Sequence, residues 1–358
     1  MNPLRRLATA ALVALLFTSL AVPNAYAQVT IDWVTVGNPG NANDPATGSL
    51  YGAVNYSYQI GKYDVTIGQY TEFLNAVAKT DTYSLYNTNM ADDLNVAGIA
   101  RAGSSGSYTY SVINNGGPSG NRPITYVNWW DAARFSNWMA NGQPTGAQSS
   151  TTTENGAYNV NGATTGSAPG RNTVNPNTSA APTFYIPTEN EWYKAAYYSP
   201  LLNSGSGGYY AYATQSNTAP GNVVGSGANQ ANYYTGAGYS VTQSASYSSS
   251  QNYLTDVGAF TNSASYYGTF DQSGNVFQWN DLDGTAGSTR GLRGGDWSNL
   301  AFDLSSSFRS TGAPSDERGF IGFRLASPVA VPEPSTWVMG LAGIACGAWQ
   351  MYRRRRAR

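Results

Sequence analysis

Histidine is absent from all 358 residues, and the single cysteine, Cys346, sits close to the C-terminus. The first absence removes the usual general base, every Ser-His triad and every imidazole-ligated zinc, copper or iron site. The second leaves residues 28–328 without a disulfide, a thiolate metal site or a thiol nucleophile, so stability must come from packing and from any bound ion. Charge is scarce as well: Asp, Glu, Lys and Arg together make up 11% of the chain. The residues that dominate instead are Gly, Tyr, Asn, Ser and Thr, a composition of secreted, loop-rich proteins more than of cytosolic ones. An aromatic content of 13% argues against disorder.

The two ends are unlike the middle. Residues 1–27 carry Arg5 and Arg6, an apolar run from Ala8 to Val22 and the small-residue triplet Ala25-Tyr-Ala27, which is the layout of a secretory signal peptide. Residues 329–358 carry Val331-Pro-Glu-Pro-Ser335, an apolar stretch from Trp337 to Trp349 and the basic block Arg353 to Arg356. The apolar stretch is short for a spanning helix, while the basic block beyond it suits retention on the cytoplasmic side. This tripartite tail resembles the PEP-CTERM sorting signal of Gram-negative bacteria. The resemblance implies transient membrane contact, processing by an exosortase near Pro332, and release to the cell surface or extracellular matrix; a permanent C-terminal anchor is the alternative. Both ends together hold seven of the nineteen basic residues and one of the twenty acids, leaving twelve against nineteen and a net charge of about −7 between them. A domain of that sign is not expected to bind nucleic acid.

Residues 28–328 are long enough for a sizeable core, and no internal repeat or boundary divides them. Ile31 to Val36 and Tyr56 to Ile60 are expected as strands. Thr66 is placed to cap a helix whose apolar residues Tyr70, Phe73, Leu74 and Val77 recur at helical spacing. Asn128-x-x-Asp131 heads a second helix with Phe135, Trp138 and Met139 on its inner side, and Thr188-x-x-Glu191 forms a capping box ahead of Trp192, Ala195 and Ala196. Between them, 102–120, 142–182 and 204–250 show no sustained period. Loops of that length inside a domain usually carry function.

The densest stretch is Tyr267 to Trp297. Within it, Asp271-Gln-Ser-Gly-Asn-Val-Phe-Gln278 gathers a carboxylate, backbone carbonyls and an amide oxygen on one bend, the ligand set a hard cation such as Ca2+ takes. A hairpin with Asp271 capping its own turn and Gly274 at positive φ uses the same residues. The stretch resembles the G-L-x-D-M-x-G-N-V-W-E-W signature of the formylglycine-generating enzyme (sulfatase-modifying factor) domain, and Arg290-Gly-Leu-Arg-Gly-Gly-Asp-Trp297 resembles its R-V-x-R-G-G-S-W strand. Four further blocks follow the family order: Ile60 to Tyr70, Arg122 to Ala132, Ile186 to Trp192 and Gly319 to Arg324.

The resemblance implies an α+β, C-type-lectin-like fold, loop-rich, with short helices and small antiparallel sheets. It also implies a position for each functional residue. The family's copper-binding cysteines align with Asn299 and Leu304 here, neither of which offers a thiolate, so no copper and no formylglycine-generating oxidase activity are expected. The family's second calcium site aligns with Asp271, the carbonyls of Gly274 and Val276, and Gln278, where a carboxylate has become an amide. Its first aligns with Asn232 and the carbonyls of Tyr233 and Phe260; the acidic ligand becomes Gly258, and Asp256 is the nearest replacement. The expected function is a non-catalytic, calcium-supported protein that binds an extracellular polysaccharide or protein through its loops. The alternatives are a sulfatase-modifying oxidoreductase, or an enzyme working through a carboxylate pair that no spacing marks. Arg293 and Arg324 are expected in buried bonds to loop carbonyls and carboxylates, Trp129, Trp130, Trp192, Trp279 and Trp297 in the core, and Tyr209, Tyr210, Tyr233 and Tyr234 as candidate sugar-stacking rings.

Overall fold

The three helix starts show how local chemistry sets the frame. Thr66, Asn128 and Thr188 each accept the backbone N–H three residues on, and the residue there bonds back, so three capping boxes open the helices Ile67–Val77, Trp129–Ala140 and Glu189–Tyr197. Each box satisfies N–H groups that a helix end otherwise leaves bare. The computed structural model describes residues 28–328, and the export signal and sorting tail expected at the two ends lie outside them. Among the described residues no helix is long and apolar enough to cross a membrane.

The helices pack on two small sheets. In one, Tyr58–Gly61 is the middle strand between Trp33–Val36 and Ala326–Pro328, both antiparallel to it, which ties the two ends of the domain together. The other orders Ser310–Gly312, Arg290–Arg293, Phe277–Asn280 and Ile321–Phe323. Its last pairing is parallel, as is that of Gly225–Ala228 with Phe260–Asn262, so the sheets are not wholly antiparallel. The segment 102–120, expected as loop, folds back as a hairpin in which Thr109–Val112 pairs with Ile99–Ala102.

The largest apolar cluster joins Tyr70, Phe73 and Leu74 of the first helix to Phe135 and Trp138 of the second and to Trp279 and Phe323 of the four-stranded sheet. Trp129, Trp130, Trp192, Trp279 and Trp297 are all buried, as expected. The helix Trp129–Ala140 departs from its expected single inner face, because all twelve of its residues are buried. Segment 142–182 lies over its polar side. Arg134 donates two hydrogen bonds to Glu154, and the Asn137 amide donates to the carbonyls of Thr153 and Tyr158. These bonds offset much of the cost of burying a polar helix face, although Arg134 Nη1 and Asp131 Oδ1 find no partner among the described residues.

Candidate ligand-binding site

The bend at Asp271 to Gln278 is assembled against the last strand and the third helix. Gly274 has φ +88°, and a Cβ there would collide with the carbonyl of Asn232, so only glycine lets the two backbones meet. Arg324, fully buried, donates to the carbonyls of Gly61 and Phe270, to Asp64 at 3.2 Å and to the Gln278 side chain at 2.6 Å. The Gln278 oxygen also accepts the Trp192 indole N–H at 2.6 Å, and its amide nitrogen donates to the Asp271 carbonyl. Two donors fill the two lone pairs of that oxygen, so Gln278, expected as a calcium ligand, serves the scaffold instead. Its amide is what the position requires: a carboxylate could not donate to the Asp271 carbonyl.

Asp271 keeps partial exposure, and one of its oxygens accepts the Gly258 N–H at 2.7 Å. Its surroundings still desolvate the carboxyl enough to push it up to about 6. Burial pushes Asp64 further, to about 8, against the pull of Arg324, and one Asp64 oxygen has no hydrogen-bond partner among the described residues. A small cavity of ≈ 10 Å³, about the room of one water, lies beside Asp271; Phe260 lines it too. The other expected calcium set is only partly committed to the scaffold. The Tyr233 carbonyl already accepts Asn222 and Ser240, the Asn232 amide donates to Tyr253 and Asn275, and Asp256 stands exposed. Among the described residues no group of three or more His, Cys, Asp or Glu side chains is placed to hold a metal.

The positions aligned with the copper thiolates are equally committed. Leu304 is fully buried in an apolar cluster with Ala231 and Tyr233. Asn299 accepts the Asp296 N–H through its side chain, and its carbonyl accepts Tyr234 N–H. Arg293, as expected, is buried, donating to Glu189 and to the carbonyls of Ser306 and Phe308. Of the four tyrosines expected to stack on sugars, Tyr233 is buried and the others are partly covered.

Two open clefts of ≈ 490 Å³ each remain. One runs between Asn38–Pro45 and Tyr198–Tyr209. The other is lined by Tyr56, Arg171, Tyr185, Asp283, Pro182 and Pro328, and behind it lies the buried Glu191, which accepts the hydroxyls of Tyr56 and Tyr185. None of these was marked by spacing in the sequence. The one available signal was Glu191 of the capping box, whose carboxylate serves the helix and the cleft at once.

No curated protein matches the chain. Among solved structures, CarF is 20% identical, covering 84% of this chain and 99% of its own with a TM-score of 0.45. Treponema denticola variable protein 1 is 17% identical over 84% of this chain and 98% of its own, TM-score 0.46, and PvdO from Pseudomonas aeruginosa is 17% identical over 84% and 92%, TM-score 0.42. The model of the sulfatase-modifying factor enzyme 1-like domain matches residues 41–329. That span takes in the capped helices, the four-stranded sheet, two of the three strands of the other sheet and the arginine-centred bend, and the chain belongs to the sulfatase-modifying factor enzyme 1-like family.

Proposed function

We propose that the chain is a non-catalytic member of its family, exported to the cell surface or extracellular matrix, whose loops bind a glycan or a protein. One observation carries this reading: Leu304 fills the place of a copper thiolate as a packed core residue, and Asn299 beside it is held by backbone bonds. Oxidation of a substrate cysteine needs a soft-metal site that these side chains cannot form. Of the residues lining the two large clefts, Asp283 alone is acidic, which gives no support to a hydrolase built on a carboxylate pair. Calcium stays in the proposal as a weak scaffold ion at Asp271 with the carbonyls of Gly274 and Val276, supported by the small cavity beside that residue and without Gln278. The test is direct. Full chain given Cu(I), oxygen and a Cys-x-Pro-x-Arg peptide is expected to yield no formylglycine by mass spectrometry; product above a protein-free control overturns the reading.

A further inference from the structure

We propose that the Tyr56–Arg171–Asp283 cleft is the binding site and that its ligand is a neutral saccharide; this rests on the glycan reading above and narrows it. The two clefts match in volume, so what separates them is how their polar groups are used. In the first cleft they serve the protein: the Asn41 amide donates to Gly52 and Tyr209 and accepts from Val54, Asn43 ties Ser49 to Ala53, and the Tyr209 hydroxyl donates to Ala42. In the second the Tyr56 and Tyr185 hydroxyls and the Asn172 amide are likewise bonded within the protein, but the Arg171 guanidinium is not.

Arg171 is the clearest case. Its guanidinium lies over the Tyr185 ring at 4.0 Å, and its Nη1 is 3.8 Å from Glu191, beyond hydrogen-bond reach, with no hydrogen-bond partner among the described residues. Glu191 does not need it, because Tyr56 and Tyr185 bond one carboxylate oxygen and the Thr188 N–H and hydroxyl bond the other. Nη1 itself is buried facing Glu191, so what stacking and charge leave for a ligand is the rest of the guanidinium edge, on a side chain that is 26% exposed. Tyr56 is 48% exposed, yet its hydroxyl is anchored to Glu191 at 2.9 Å. An exposed ring held at its tip is a flat apolar platform whose ordering cost is met before any ligand arrives.

Around this platform stand a donor-only group, Arg171, an acceptor-only group, Asp283, with one oxygen bonded to Thr285, Asn172, whose amide already donates to the Gly156 carbonyl, and Thr173, which can do either. Sugar hydroxyls both donate and accept, and pyranose rings present apolar C–H faces, so the set matches a saccharide edge and face together. The charge selects a neutral one. Arg171 is offset by Glu191, and Asp283, whose carboxyl two bonds from Thr285 hold below the usual range, leaves the cleft net negative within a domain of about −7. An extended peptide is disfavoured, because the strand Ala326–Pro328 at the cleft wall is already closed by two backbone bonds between Tyr185 and Ala326 and has no free edge there.

The experiment is calorimetric titration of the full chain with neutral hexasaccharides (β-1,4-glucan, β-1,3-glucan, chitin, mannan) and with anionic oligomers of galacturonate and hyaluronan. At least one neutral hexasaccharide is expected to bind, about tenfold more weakly to Tyr56→Ala and to Asp283→Asn, with Tyr209→Ala in the other cleft unchanged. Asp283 is exposed, so its variant keeps the test open if Tyr56→Ala disturbs folding. Binding lost in Tyr209→Ala but kept in Tyr56→Ala and Asp283→Asn overturns this inference and leaves the glycan reading standing. Tighter binding of the anionic oligomers overturns the neutral class, and no binding by any sugar overturns both this inference and the glycan reading.

Discussion

The bend at Asp271 to Gln278 and the cleft at Tyr56 and Arg171 are built from similar residues, an arginine and an acid among aromatics, and they do opposite things. At the bend Arg324 spends its donors on Gly61, Phe270, Asp64 and Gln278. At the cleft Arg171 is fixed by a ring face and a distant carboxylate. The lesson is that a dense cluster of polar residues in sequence identifies scaffold as readily as site. What distinguishes a site is polar capacity that the fold has not consumed.

The sharpest way to break that comparison is to remove the central group from each region. Arg324→Ala strips a cation from buried Asp64 and leaves Gln278 with one donor, and breaking such a buried pair costs about 3–5 kcal/mol. Against a total stability of roughly 5–15 kcal/mol, chemical denaturation is expected to show a large loss or failure to fold. Tyr56→Ala at the cleft rim should cost well under half of that, within reach of ordinary surface changes. Equal losses would mean that the cleft is scaffold too.

Legibility in the sequence follows the range of the interaction. Thr66, Asn128 and Thr188 read correctly because a capping box is closed within four residues. The burial of Arg134 and Asn137 did not, since their acceptors at Glu154, Thr153 and Tyr158 come from a loop with no period. Gln278 could be aligned to a family position, but its partners, Trp192 and Arg324, lie 86 and 46 residues away, and nothing in the spacing says that its oxygen is filled. Arg171, and the part Glu191 takes behind the cleft beyond its capping box, were invisible for the same reason. The parallel pairing of Ile321–Phe323 with Phe277–Asn280 was likewise out of reach, because both strands are short and buried on both faces.

A smaller effect separates the two regions by pH. Asp64 titrates near 8 and Asp271 near 6, both raised chiefly by burial, whereas Asp283 at the cleft is lowered by Thr285. Groups raised in the folded state bind more protons there than in the unfolded chain, so their stabilisation is complete below the ordinary carboxylate range and is lost as pH rises through 6 to 8. Thermal melts are expected to show greater stability at pH 5 than at pH 8.5, and Asp64→Asn should flatten the slope. Asp283→Asn should leave that slope as it is, and a change there of equal size would contradict the assignment.

The smallest expected effect is that of calcium, because the bend has given one of its ligands away. With the Gln278 oxygen filled by Trp192 and Arg324, Asp271 is the one charged ligand left, and affinity in calcium sites falls with ligand charge, toward about 10⁻⁴–10⁻³ M in extracellular modules. At millimolar calcium a site of that strength adds roughly 0.4–1.4 kcal/mol by mass action. For a domain of this size the melting temperature should therefore fall by only about 1–5 °C on chelation, measured by differential scanning calorimetry with and without a calcium chelator. Asp271→Asn should remove the response. Gln278→Glu supplies a second charge at the bend, and although Arg324 competes for it, the chelator response should grow, at the expense of the bond to the Asp271 carbonyl that only an amide can donate. A melting curve indifferent to chelation in both the native chain and Gln278→Glu would remove calcium from the bend altogether and leave Arg324 as the cation around which it is built.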